Sequence, residues 1–195
     1  MSNSFLSFLP LLILLVIFGL IIWFLVRMRR NEKIVIDENG NAVRSGLGGW
    51  LILVGLGVVI SPFRLLGEIT QNHVPMFNDG TYETLTTPGT ALYHPFWSTF
   101  IWGEIVINTF VVIASIALIV VFFSKKKIFP KFYIGLVSFS YLFILVDAML
   151  IKVVMPNADI FDVDTVKELI RGLFAAVIWI PYMLFSKRVK VTFIN

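Results

Sequence analysis

Apolar residues in this chain arrive in runs of about 20, the length an α-helix needs to cross the hydrocarbon core of a bilayer. No water is present there to satisfy backbone N–H and C=O groups, so a spanning segment must be a helix or part of a closed barrel. Runs this long and continuous read as helices. Composition agrees: 58% of the 195 residues are hydrophobic and 14% are charged, against about one-quarter charged in an ordinary soluble domain. A water-soluble globule is excluded. The absence of cysteine also excludes a disulfide framework, thiolate-held metal clusters and thiol redox chemistry, because each needs sulfur.

The first run, Phe5 to Val26, carries no charge and is followed at once by Arg27, Arg29, Arg30 and Lys33. No basic residue precedes it, unlike a cleavable secretory signal, so residues 1–30 read as an uncleaved transmembrane helix. Residues 31–46 follow as a cytoplasmic linker or a small hairpin around Asn39-Gly40, a pair suited to a tight turn. Residues 47–195 then form a four-helix transmembrane domain, with spans at about 48–66, 96–123, 130–154 and 165–185. Its long outer loop, 68–96, has no Lys or Arg, and a shorter acidic loop runs through Asn157, Ala158, Asp159, Asp162 and Asp164. The expected fold class is all-α, a polytopic bundle of five spans.

Orientation follows from the basic residues. Five lie between Arg27 and Arg44, four between Lys125 and Lys131 and three at Lys187, Arg188 and Lys190, which places 12 of the 16 on one side. Lys and Arg concentrate on cytoplasmic loops, so the N-terminus is expected outside and the C-terminus inside. The formal net charge of +4 is explained by this asymmetry, and no nucleic-acid partner is expected. The bilayer itself is the first partner, and Lys187, Arg188 and Lys190 are candidates for contact with anionic lipid head groups.

Charges at membrane depth are costly and are the natural places to seek function. At about 1.5 Å rise per residue, Arg64, Glu104, Asp147 and Arg171 all fall in the outer third of their helices. Each lies on a stripe of small or polar residues at helical spacing. The stripes are Trp50, Gly57, Ser61, Arg64 and Glu68; Trp97, Glu104, Asn108 and Ser115; Tyr133, Ser140 and Asp147; and Arg171, Ala175, Trp179 and Tyr182. Two readings follow. The quartet either forms salt bridges that fix helix partners and register, or lines an outward-facing ion, proton or small-solute site, in which Glu104 with Asn108 one turn below is the best coupling candidate.

Pro62 and Pro181 interrupt two spans and are expected to kink them. His73 and His94, 21 residues apart in the expected outer loop, lack metal-ligand spacing, so no metal site is expected. Trp50, Trp97, Tyr93 and Trp179, near span ends, fit interfacial belts. The chain has no HExxH, no G-x-S-x-G and no Walker loop, so neither an enzyme activity nor a cofactor is expected.

Gly48-Gly49-Trp50-Leu51 leading into Ile60-Ser61-Pro62-Phe63-Arg64, with the tail Ser186-Lys187-Arg188-Val189-Lys190-Val191-Thr192-Phe193, resembles the bacterial membrane-protein family called domain of unknown function 2569, over about residues 46–193. The resemblance implies a four-helix inner-membrane domain in which Trp50, Pro62, Arg64, Lys187, Arg188 and Lys190 occupy favoured positions. It implies no activity.

The leading expectation is a small structural or partner-binding protein of the bacterial inner membrane, meeting another membrane or periplasmic protein through the outer loop. The alternative is a proton- or ion-coupled small-solute transporter with a polar outer cavity. A water-filled cavity around Glu104 favours the second reading, and a closed, ion-paired core the first. Topology is testable directly. Single cysteines at Ser2, Asn78 and Asn157 should react with a membrane-impermeant thiol reagent applied from outside, whereas cysteines at Asn39, Ser124 and Asn195 should not. Labelling at Asn39 in intact spheroplasts would reverse the orientation.

Overall fold

The computed structural model describes Val26 and residues 32–37, 39–156, 159–160 and 163–195. The expected first span lies outside the described residues except for Val26, as do Asn157, Ala158 and Asp162 of the acidic loop. Two short strands, β1 (Lys33–Ile36) and β2 (Ala42–Ser45), pair antiparallel, with Lys33 opposite Ser45 and Ile36 opposite Ala42. Gly40 supplies the positive φ of the turn, at 78°, a conformation without steric cost only for glycine. The Asp37 carboxylate accepts from the backbone N–H groups of Asn41 at 2.7 Å and Asn39 at 3.0 Å. The Asn41 bond is the main reason Asp37 titrates below its usual range. Its support is therefore complete above that range and is lost as acid takes the pH down through the lowered value.

Among the described residues six helices follow: α1 (Trp50–Asn78), α2 (Thr81–Thr86), α3 (Trp97–Phe123), α4 (Phe129–Val154), α5 (Val163–Phe185) and α6 (Lys187–Thr192). Four of them, α1, α3, α4 and α5, are long and apolar enough to cross a membrane, which makes this a multi-pass membrane protein. α1 packs on α3, α3 on α4 and α4 on α5. α1 and α5 meet edge-to-face through Trp50 and Trp179, ring centroids 6.3 Å apart.

α1 continues well past the expected end near Leu66, so residues 68–78 of the expected loop are helical. No residue between Leu66 and Asn78 stops a helix except Pro75, which α1 accommodates as it does Pro62; Asp79-Gly80 then ends it, with Gly80 at φ 80°. Pro62 has no N–H, which leaves the Val58 carbonyl without its helical partner. The Ser61 hydroxyl donates to that carbonyl at 3.0 Å, a repair suited to a membrane, where water cannot make it. α5 likewise runs through Pro181.

The main apolar core sits at the basic end of the bundle. Leu51, Val54 and Val58 of α1, Leu118 and Phe122 of α3, Phe129 of α4, Met183 of α5 and Val189 and Phe193 beyond it are all buried there. The Phe193 ring stacks on Phe129 with centroids 4.5 Å apart and lies 5.9 Å from Phe122. A smaller cluster of Trp97, Ile101 and Val154, with Tyr82 and Leu85 of α2 packed on it, closes the other end. Trp97 is thus a core residue rather than part of an interfacial belt.

α6 clasps the basic end together. Ser186 caps its first turn by accepting from the Val189 N–H at 3.4 Å. The Thr192 hydroxyl accepts from the Gly46 N–H at 2.9 Å, and Arg188 Nε donates to the Gly46 carbonyl at 3.1 Å. The Arg188 guanidinium also pairs with Glu32. Gly48 and Gly49 make room for it: a Cβ on Gly48 would collide with the Glu32 carboxylate and Arg188, and one on Gly49 would lie 2.9 Å from Arg188 Nη1. Backbone bonds from Lys127 N–H to the Asn195 carbonyl (2.7 Å) and from Asn195 N–H to the Lys125 carbonyl (3.3 Å) join the tail to the α3–α4 turn.

Truncation of a buried aromatic costs about 3 to 5 kcal/mol. Phe193→Ala should lose stability of that order, whereas Ile194→Ala, at a side chain 68% exposed, should change it little. Denaturant unfolding in detergent micelles measures both, and equal effects would remove Phe193 from the core.

Candidate functional site

Between the two apolar clusters the four long helices enclose a cavity of about 530 Å³. It runs along α1 from Gly57 to His73, a distance of about 24 Å at ~1.5 Å per residue. The polar stripe of each helix faces it. Gly57, Ser61, Arg64 and Glu68 come from α1, Glu104, Asn108 and Ser115 from α3, Tyr133, Ser140 and Asp147 from α4, and Arg171, Ala175 and Trp179 from α5. The structure therefore brings Arg64, Glu104, Asn108, Asp147 and Arg171 to one chamber. Trp50, Trp97 and Tyr182, the terminal members of three stripes, are not among its lining residues.

Sequence reasoning missed two titratable members of the wall, His73 and Glu168. Glu168 is found by extending its stripe back by one turn, since it precedes Arg171 by three residues; His73 lies five residues beyond Glu68, off that stripe, on the part of α1 expected as loop. His73 is 4% exposed, with Nε2 3.6 Å from Glu104 Oε2. Its Nδ1 sits 3.2 Å from the Ile69 carbonyl. A carbonyl only accepts, so Nδ1 carries a hydrogen. Nε2 is then the ring nitrogen turned toward the Glu104 carboxylate.

The wall carries two arginines, four carboxylates and this histidine. They divide into two groups. Arg64 pairs with Glu68 one turn along α1, at 2.8 Å, and Glu168 lies within electrostatic reach of Glu68, Arg64 and Arg171. That side is balanced, with two cations and two anions. Asp147 lies within electrostatic reach of Glu104, Glu168 and His73, so the α3–α4 side is acidic and has only His73 to offset it. Among the described residues, no ion pair joins Arg64 or Arg171 to Glu104 or Asp147. The two arginines line the chamber without locking their helices to α3 or α4, and His73 with Glu104 is the charged contact that joins α1 to α3.

Both expected kink prolines lie inside their helices, and Pro62 borders the cavity-lining residue Ser61. At the basic end, the three cations expected to contact lipid have different surroundings. Arg188 is committed to Glu32 and the Gly46 carbonyl with 18% of its side chain exposed, Lys187 reaches Asp37 at 3.5 Å while remaining largely exposed, and Lys190 points outward. Arg188 is thus occupied by the fold before any lipid reaches it. Among the described residues, no group of three His, Asp or Glu side chains is placed to hold a metal ion.

Residues 44–194 match the family model described as Protein of unknown function (DUF2569). The match takes in the end of β2, the four long helices and the clasp helix α6. No curated protein and no solved structure matches the chain. The chamber, the clasp helix and the Gly48-Gly49 and Ser61-Pro62 features that support them fall within the matched residues, whereas the clasp partners Glu32 and Asn195 lie just outside them, and the chain belongs to the DUF2569 family, membrane-like helical proteins of unknown function.

Proposed function

We propose that this protein is a proton-coupled carrier of small cationic solutes in a bacterial inner membrane, with its basic end in the cytoplasm and its chamber opening toward the outside. The observation that carries this reading is the 530 Å³ chamber whose α3–α4 wall presents Glu104 and Asp147 without an arginine partner. Two half-buried carboxylates within electrostatic reach of each other and without a cationic partner are costly. A cation or a proton relieves that cost, so the two compete for one place.

The sequence of events is simple. With His73 and Glu104 sharing a proton, the acidic wall is partly neutralised and attracts a cation weakly. An arriving cation meets Glu104 and Asp147, and the shared proton leaves for water in the chamber. Exchange of one positive charge for another keeps the net charge of the wall the same, one negative, at each stage. The buried core of Leu51, Val58, Leu118 and Phe122 closes the basic end beneath the chamber, so passage across the membrane requires that packing to part. On this reading the protein performs no covalent chemistry and is not an enzyme.

Two measurements test it. Tetramethylammonium should bind the purified protein more weakly as pH falls, because protons compete for the same carboxylates. Glu104→Gln should keep the fold and its melting temperature while abolishing cation-driven proton flux in reconstituted vesicles, since Gln keeps the shape and cannot titrate. Unchanged flux in Glu104→Gln would sink the proposal.

The alternative, in which the charges merely fix the bundle, makes a different demand on Arg64. Removing one partner of a buried ion pair costs about 3 to 5 kcal/mol. The side chains of Arg64 and Glu68 are 48% and 37% exposed and pair within one helix, an arrangement worth less than about 1 kcal/mol. Arg64→Ala should therefore unfold within about 1 kcal/mol of the parent protein; a loss above about 3 kcal/mol would restore the structural reading.

A further inference from the structure

The acidic wall has a second face. In the seam between α3 and α4, near the end away from the clasp, lies a groove of about 320 Å³. Apart from Thr99, Glu104 and Asp147, its lining is apolar side chains and Gly103. Leu150 and Val153 on its rim are 46% and 51% exposed, and Phe96 57%, so it opens on the outer surface of the bundle, which in a spanning helix faces lipid. Glu104, Asp147 and Phe143 line both this groove and the central chamber. The two carboxylates thus stand at the junction between an apolar channel from the bilayer and a polar chamber among the helices.

We propose that the ligand is an amphiphilic organic cation that enters laterally from the membrane, its apolar tail in the α3–α4 groove and its charged head against Glu104 and Asp147. This deepens the carrier reading above and rests on it. Charge selects the head. Carboxylates at the inner end of a groove exclude an anionic head, and neither arginine of the chamber lines the groove to attract one. Length selects the tail: with the head at Glu104, the groove back to Phe96 offers about 12 Å at ~1.5 Å per residue, which suits an alkyl chain of about ten carbons. A ligand of this kind is already concentrated in the bilayer, where a lateral entrance meets it.

Gly103 allows the groove to be filled without touching the chamber. It lines the groove only, and a Cβ built there meets no atom within 4 Å. In nanodiscs, with binding to empty discs subtracted, decyltrimethylammonium should bind at least tenfold more tightly than tetramethylammonium, and decanesulfonate should not bind. Gly103→Phe should cut that advantage to less than threefold and leave tetramethylammonium binding unchanged. Should Gly103→Phe fail to fold, Leu150→Trp on the opposite wall makes the same test. Glu104→Gln should weaken both cations. An undiminished advantage in the filled variants would overturn the lateral entrance while leaving the carrier reading intact, and so would equal binding of decanesulfonate, which would mark plain apolar partition. Failure of wild-type protein to bind tetramethylammonium or decyltrimethylammonium would overturn both readings.

Discussion

Apolar packing in this protein is concentrated at the two ends of the helices, and the middle of the bundle follows from that. At the basic end, Phe122, Phe129 and Phe193 fill the space between helices; at the other, Trp97 and Ile101 do so. Large side chains at both ends set how far apart the helix axes stand. Between them the inward residues include Gly57, Ser61, Ser115, Ser140 and Ala175, which are too small to fill that separation. Small residues ordinarily let membrane helices approach closely. Here the bulky ends prevent the approach, and the unfilled volume becomes the chamber.

A chamber of this size changes the energetics of the charges around it. A carboxylate in hydrocarbon is costly, whereas one facing a polar, roomy cavity can be hydrated. Four acids and two arginines are therefore compatible with a bundle whose outer surface is apolar. Polar satisfaction extends to the backbone: Ser61 covers the carbonyl freed by Pro62, and Ser115 donates to the Val112 carbonyl at 2.8 Å. No buried side-chain nitrogen or oxygen among the described residues lacks a hydrogen-bond partner. The site is acidic on one side because the arginines both belong to the α1 and α5 half, where carboxylates of their own surround them.

Much of this was legible in the residues. Runs of apolar side chains located four spans, and 3.6-residue periodicity put Arg64, Glu104, Asn108, Asp147 and Arg171 on inward stripes, because a charge and its small neighbours mark the same helix face whatever the helix packs against. Periodicity says nothing about how far apart the faces stand. The same stripes suit an ion-paired core and an open chamber, and only the bulk of Phe122, Phe129 and Phe193 decides between them. His73 escapes because a stretch without a long apolar run reads as loop, although α1 accommodates Pro75 and ends only at Asp79-Gly80. Arg188 escaped for another reason: its partners Glu32 and Gly46 lie more than 140 residues away, and no local pattern encodes a pairing at that distance.

The clasp has a mechanical consequence. α6 follows α5 directly, grips Gly46 just ahead of α1, and leads to Phe193 against the adjoining ends of α3 and α4, so a six-residue helix ties the same end of all four long helices. Any change in the width of the chamber must either break these contacts or leave them fixed and swing the free ends about them. The 29 residues of α1 make a lever about 43 Å long at ~1.5 Å per residue, and a tilt of about 10° carries its far end roughly 7 Å. The basic end is thus a fulcrum, and small angular adjustments there are amplified where Glu104, Asp147 and the α3–α4 seam lie.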